Sequence, residues 1–151
     1  MKGLVIRNGR VIDPANDFDD VADLFIVDGR IAAVGQAPAS FQAEQSLDAA
    51  GLVVCPGLVD LSARLREPGA THKATITSEA QAAVAGGITT LCLPPDTQPV
   101  IDTPSVVQLV LRRAEEAGAA RVVSIGALTQ QLAGQLLSGM AALRDAGCPA
   151  L

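Results

Sequence analysis

In the segment "DLSARLREPG", Asp60, Ser62, Arg64 and Arg66 recur at every second position. In a β-strand that spacing sets all four side chains on one face. The face would carry one carboxylate, one hydroxyl and two guanidinium groups. Glu67, Pro68 and Gly69 close the segment, and Asp96 follows the pair Pro94-Pro95 about thirty residues on. Such a face is poorly made for a metal. Serine is a weak zinc ligand at neutral pH, and a guanidinium is permanently cationic with no lone pair to offer. The chain's one histidine, His72, follows the segment in what reads as a loop. A lone loop histidine is most simply a solvated surface residue, and it cannot supply a pair of ligands.

The elements that would position these residues fall into two rhythms. Residues 1-52 are short and strand-like. "LVIRNGRVI" has apolar residues on both sides of Asn8-Gly9, and "ADLFIVDGRIAAVG" repeats the design around Asp28-Gly29. Both dipeptides favour tight hairpin turns, so a small antiparallel meander is expected. From residue 53 to residue 151, strands and helices alternate. "LVVCPGLVDLSAR" reads as an apolar strand region. "TSEAQAAVAGG" reads as a helix capped by Thr77 or Ser78 and stopped by Gly86-Gly87. "ITTLCL" is a second strand. "TPSVVQLVLRRAEEAG" is a helix with Thr103 as N-cap, Pro104 in its first turn and Gly118 at its end. "ARVVSIGAL" and "LSGMAALRDAG" give a third strand and helix, and Cys148 to Leu151 are placed to open a fourth strand. Arg112 or Arg113 is spaced to attract Glu115 or Glu116 along a solvated helix face.

A βαβαβα order implies a parallel sheet, either open and doubly wound or closed as a (β/α)8 barrel. A barrel usually needs ~250 residues, and this chain has 151. It is therefore expected to be a piece of a longer protein whose unpaired apolar edges would be sticky.

Bulk properties exclude several functions. The chain is 49% hydrophobic, so it can bury a core. Its net charge is −5, with three Phe and no Tyr or Trp. Phosphate neutralisation and base stacking thus have little to work with, and no nucleic-acid partner is expected. No apolar run approaches the ~20 residues of a membrane span, and "MKGLVIRNGRVIDP" lacks a signal-peptide layout. Cys55, Cys92 and Cys148 lie far apart beside apolar residues. They read as small core residues of a cytoplasmic protein, without a disulfide or zinc framework.

Taken in order, "VIRNGRVIDP", "GLVVCPGLVD", "REPG" and "AAVAGGITTL" resemble the dihydroorotase branch of the amidohydrolase superfamily. The resemblance covers essentially this whole chain and the front part of a typical member. It implies an α/β fold. Residues 1-52 would be the N-terminal half of a small β-sandwich, and residues 53-151 the first part of a (β/α)8 TIM barrel, truncated after about three βα units.

Members of that family read Asp-x-His-x-His-x-Arg in the first barrel strand. Their two histidines hold zinc at the barrel mouth, and the metal lowers the pKa of bound water to about 7 for attack on a ring amide. Here Asp60 matches the leading Asp. Ser62 and Arg64 stand at the two histidine positions, and Arg66 to Gly69 match the tail. Active members also carry "PNT", whose Asn helps the arginine of "REPG" hold the substrate carboxylate. This chain has Pro95-Asp96-Thr97. An Asp96 carboxylate facing a substrate carboxylate at ~4 Å would repel it by roughly 4 kcal/mol at an effective dielectric near 20. That rivals the about 1.5–3 kcal/mol of a charged hydrogen bond from Arg66.

Simpler roles stand beside these. Asp60 either caps backbone groups at the strand end or is a catalytic remnant. Arg66 would form an ordinary ion pair with Asp96 or Glu67. Arg64 would neutralise leftover acids, Asp60 among them, or swing out to solvent. The resemblance implies a dihydroorotase-like chain with no metal and no cofactor, no longer an enzyme. Such chains have a structural role: they support the catalytic chain of aspartate transcarbamoylase, in pyrimidine biosynthesis, within a hetero-oligomer. Two other readings remain open: an active metal-dependent dihydroorotase with an atypical metal site, and a non-catalytic sensor of a small molecule.

Overall fold

The computed structural model describes residues 2–151. It divides between Pro56 and Gly57 rather than after Leu52. The later boundary has a simple cause. Val53 and Val54 form a strand that pairs with the first strand of the chain, so they belong to the first unit.

The first unit is a five-stranded sheet. Strand β1 (Lys2–Asp13) pairs antiparallel with β2 (Phe18–Val27), and β2 pairs with β3 (Arg30–Val34). Asp28 and Gly29 turn the chain between β2 and β3 with φ of 50° and 71°, as their sequence predicts. Strand β4 (Gln42–Asp48) and β5 (Val53–Val54) instead run parallel to β1. The expected antiparallel meander is therefore a mixed sheet.

Asn8-Gly9 is also not a turn. β1 runs straight through it, and the register to β2 shifts between Ile6 and Gly9. The left-handed conformation that suits Asn in a hairpin turn equally suits a bulge. Asn8 takes φ 60° there. Its backbone N–H donates to Asp23 at 3.0 Å and its side-chain amide to Asp48 at 3.0 Å. A Cβ on Gly9 would lie 2.6 Å from a Val54 methyl, so the bulge needs glycine. Val5, Val11, Leu24, Phe25 and Ala49 are buried, and Phe25 meets Phe41 edge-to-face at 5.0 Å.

The second unit holds a three-stranded parallel sheet in the order β6 (Leu58–Asp60), β7 (Ile88–Leu93), β8 (Arg121–Ser124). The apolar segment expected as one strand is thus split, with β5 in one unit and β6 in the other. Helix α1 (Ile76–Ala85) follows β6, α2 (Pro104–Ala117) follows β7 and α3 (Met140–Asp145) follows β8.

The N-cap of α1 is Thr75, not Thr77 or Ser78. Thr75 Oγ1 accepts from the Ser78 N–H at 3.1 Å, and Ser78 Oγ accepts from the Thr75 N–H at 3.0 Å. This reciprocal capping box uses Ser where Glu or Gln is usual, which hides it in the sequence. α2 begins and ends as expected, with Gly118 in the left-handed conformation at its end. Arg113 pairs with Glu116 at 3.2 Å along its surface.

Leu65, Ile76, Leu91, Leu93, Ile101, Val107, Val110, Val122 and Leu143 form the core between sheet and helices. Cys92 and Cys148 are buried as expected, but Cys55 is exposed in the link between β5 and β6. Burial pushes the Cys148 thiol pKa up. Cys148 to Leu151 do not form a fourth strand; one backbone bond, from Gly126 N–H to the Ala150 carbonyl at 3.0 Å, joins them to the segment after β8. Among the described residues no helix is long and apolar enough to cross a membrane.

Candidate functional site

Parallel strands end on one side, and the loops that follow them carry the candidate residues. β6 stops at Asp60, sooner than the alternating pattern suggests. Asp60 Oδ1 accepts from the Ser62 N–H at 2.9 Å. This closes a local turn at the strand end, one of the two roles expected for Asp60. The Ala63 N–H then bonds the Cys92 carbonyl at 2.9 Å and carries the segment along β7.

Leu65 is the anchor of the segment. It is only 2% exposed and packs in the core, while Arg64 and Arg66 on either side are exposed. Arg66 has a positive φ of 65°, an uncommon conformation for a side chain of this size. The Ala70 N–H bonds its carbonyl at 2.7 Å. Strand alternation therefore does not extend from Asp60 to Arg66, and the four side chains do not share one strand face.

The second loop follows β7. Gln98 N–H donates to the Pro68 carbonyl at 3.2 Å and ties the two loops together. Gly69, with φ 114°, lies against Gln98 so closely that a Cβ would come within 2.9 Å of the Gln98 Cβ.

Between these loops is a cavity of about 280 Å³. Arg64, Arg66, His72, Leu93, Asp96 and Thr97 contribute to its wall. The structure thus gathers Arg64, Arg66 and Asp96. Ser62 and Asp60 do not line the cavity. His72 is exposed, as a loop histidine should be, yet it also faces this space.

The ion pairs differ from both expected arrangements. Arg64 Nε donates to Asp96 Oδ2 at 2.7 Å, so Arg64 neutralises Asp96 and not Asp60. Arg66 pairs with neither Asp96 nor Glu67. The Glu67 carboxylate accepts from the Ile76 N–H at 2.9 Å, at the positive end of α1, and lies 3.7 Å from Arg113. These competitors satisfy Glu67, and Arg64 satisfies Asp96. The side chains of Arg64 and Asp96 are 59% and 39% exposed. Solvent therefore holds their pair to about 0.2–1 kcal/mol. Sequence reasoning had the signal for this pairing: two departures from the family pattern with opposite charge.

A zinc ion of the kind the family resemblance implies does not fit these residues. Arg64 brings a cation and no lone pair, and the one carboxylate on the wall is engaged by it. Among the described residues, no three His, Cys, Asp or Glu side chains gather closely enough to hold a metal ion.

Away from the cavity, buried Asp102 accepts from the Gln131 backbone N–H at 2.8 Å and its side-chain amide at 3.1 Å. This brace holds the loop after β8 and was not foreseen. In the first unit, Arg10 pairs with Asp19 at 2.6 Å and lowers that carboxyl's pKa. Donation from Asn8 likewise lowers that of Asp48.

Comparison with known proteins places this geometry. Residues 51–151 match the family model described as dihydro-orotase-like. The chain is 59% identical over 145 residues to a "Dihydroorotase-like protein" of Pseudomonas aeruginosa, covering 96% of this chain and 34% of that protein. It is 47% identical over 148 residues to a "Dihydroorotase" of Solibacter usitatus, covering 98% and 34%. The chain thus spans about a third of the length of these curated relatives. Among solved structures it resembles an L-hydantoinase from Arthrobacter aurescens, with TM-score 0.70 and 24% identity over 85% of this chain and 28% of that one. A D-hydantoinase from Thermus sp. gives TM-score 0.61 at 26% identity, covering 83% and 28%. The fold is accordingly a part of an amidohydrolase-type TIM-barrel protein. By family match and by its relatives, the chain belongs to the dihydroorotase family.

Proposed function

We propose that this chain is part of a non-catalytic dihydroorotase-like protein. One observation carries the reading. Arg64, at the position of the family's second metal-binding histidine, is held by Asp96 at 2.7 Å. Asp96 in turn stands where the family carries the Asn of its carboxylate clamp. Two departures, one in the metal site and one in the substrate site, thus satisfy each other. A guanidinium there opposes a dication in the same space by Coulomb repulsion. Without a metal, no bound water is activated for attack on a cyclic amide.

The role that remains is structural. We propose that the intact protein, cytoplasmic, joins the catalytic chain of aspartate transcarbamoylase in a hetero-oligomer and supports that enzyme of pyrimidine biosynthesis. Two relatives, at 59% and 54% identity, are named dihydroorotase-like proteins, which supports the reading. Co-purification of the intact protein from its native cells tests it. Recovery with a transferase at fixed stoichiometry is expected. Recovery alone, at a concentration where the transferase is abundant, would refute the structural role.

An active enzyme with an atypical metal site is the second reading. Relatives at 38–47% identity are named dihydroorotases, which favours it. Metal content and dihydroorotate turnover of the intact protein separate the two.

A further inference from the structure

The cavity wall has more hydrogen-bond donors than its one carboxylate uses. Arg64 engages Asp96 through Nε alone, so its two terminal nitrogens have no partner among the described residues. The Arg66 guanidinium and the His72 ring have none among the described residues either. The Gln98 amide also lines the cavity, while two other polar groups are engaged elsewhere. Thr97 Oγ1 donates to the Pro99 carbonyl at 2.7 Å. Glu67 is turned to α1 and Arg113, which leaves Asp96 as the one carboxylate on the wall.

We propose that this cavity binds a small tetrahedral oxyanion, either free phosphate or the phosphate of a small ester. The inference rests on the cavity being free of metal and catalysis, and it adds a ligand to that reading. A carboxylate has two oxygens, and one guanidinium fork fills both. Here two arginines and a histidine from separate chain positions line one cavity. Their donors need more oxygens than a carboxylate has, and phosphate supplies them. Arginine's planar fork is well matched to phosphate. At about 280 Å³ the cavity lies at the small end of the ~300–1,000 Å³ typical of ligand sites, which limits the ligand to a small one. Arg64 is the distinctive element, because its guanidinium would be absent from a metal-binding version of the same site. Leu65, buried between the two arginines in sequence, anchors the backbone that carries both.

The test is calorimetric titration of the intact protein after treatment with chelator. The titrants are inorganic phosphate, methyl phosphate and acetate. Phosphate or methyl phosphate is expected to bind at least about tenfold more tightly than acetate. Arg64→Met and Arg66→Met should each weaken that binding at least about tenfold, the effect of losing a charged hydrogen bond. Both side chains are exposed, so thermal melts of the variants should match the parent. Tighter binding of inorganic phosphate identifies free phosphate as the ligand, and tighter binding of methyl phosphate identifies an ester. No heat with either phosphate, acetate binding as tightly, or both variants binding like the parent would overturn the proposal. Zinc and turnover in untreated protein would defeat the non-catalytic reading and this inference with it, whereas zinc-free, inactive protein that binds neither phosphate would defeat this inference alone.

Discussion

The core of the second unit and the rim of its cavity are built from adjoining residues, yet they follow different rules. Leu65, Leu93 and Ile101 are almost wholly buried and pack as any βα unit requires. Arg64, Arg66 and Asp96, one to three residues away in sequence from Leu65 or Leu93, are exposed and depart from or reuse a catalytic pattern. Packing constrains volume and shape at the first set. Only chemistry constrains the second. A scaffold can therefore persist after its chemistry has changed.

The comparison is broken most forcefully at the rim. If Ser62 and Arg64 were the only departures from the metal site, Ser62→His with Arg64→His in the intact protein should restore zinc binding, measurable by metal analysis after dialysis. Turnover of dihydroorotate should remain low while Asp96 is present. Adding Asp96→Asn should raise it, by up to about 1,000-fold if the full ~4 kcal/mol of repulsion is removed. Robust turnover from the double variant alone would show that Asp96 matters little.

Next comes the core. Leu65→Ala should cost about 2–5 kcal/mol in urea denaturation, through lost burial and the cavity left behind. A cost below 1 kcal/mol would mean that Leu65 does not anchor the segment. Asp102→Ala is intermediate. It strands the Gln131 N–H and should cost about 1–3 kcal/mol, with faster amide exchange at Gln131 as the local readout.

Arg64→Met should cost less than about 1 kcal/mol, since its ion pair is exposed. The smallest effect is in the first unit. Asp48 has a lowered pKa because Asn8 donates to it. Its stabilising contribution is present at neutral pH and is lost as pH falls through the carboxylate range. Asn8→Ala should flatten the acid limb of a pH–stability curve; an unchanged limb would refute that link.

How much was legible in the sequence follows the same division. Helix α2 was readable to the residue, because Thr103-Pro104 and Gly118 act locally on the backbone. The family pattern around Arg66-Glu67-Pro68-Gly69 was readable because its order is fixed. The ion pairs at the rim were legible only in part, since opposite charge marks the candidates but not which arginine meets Asp96. Alternation holds only inside a strand, and β6 ends at Asp60. Beyond it, the positive φ of Arg66 and the bond from Ala63 to Cys92 decide which arginine meets Asp96. The turn at Asn8-Gly9 failed for a related reason. The same backbone preference serves a turn or a bulge, and pairing partners distant in sequence choose between them.

The most direct measurement is metal content of the intact protein, taken together with its dihydroorotate turnover. With Arg64 at the second histidine position, less than stoichiometric zinc and no turnover above background are expected. One zinc per chain, with turnover that chelator abolishes, would contradict it.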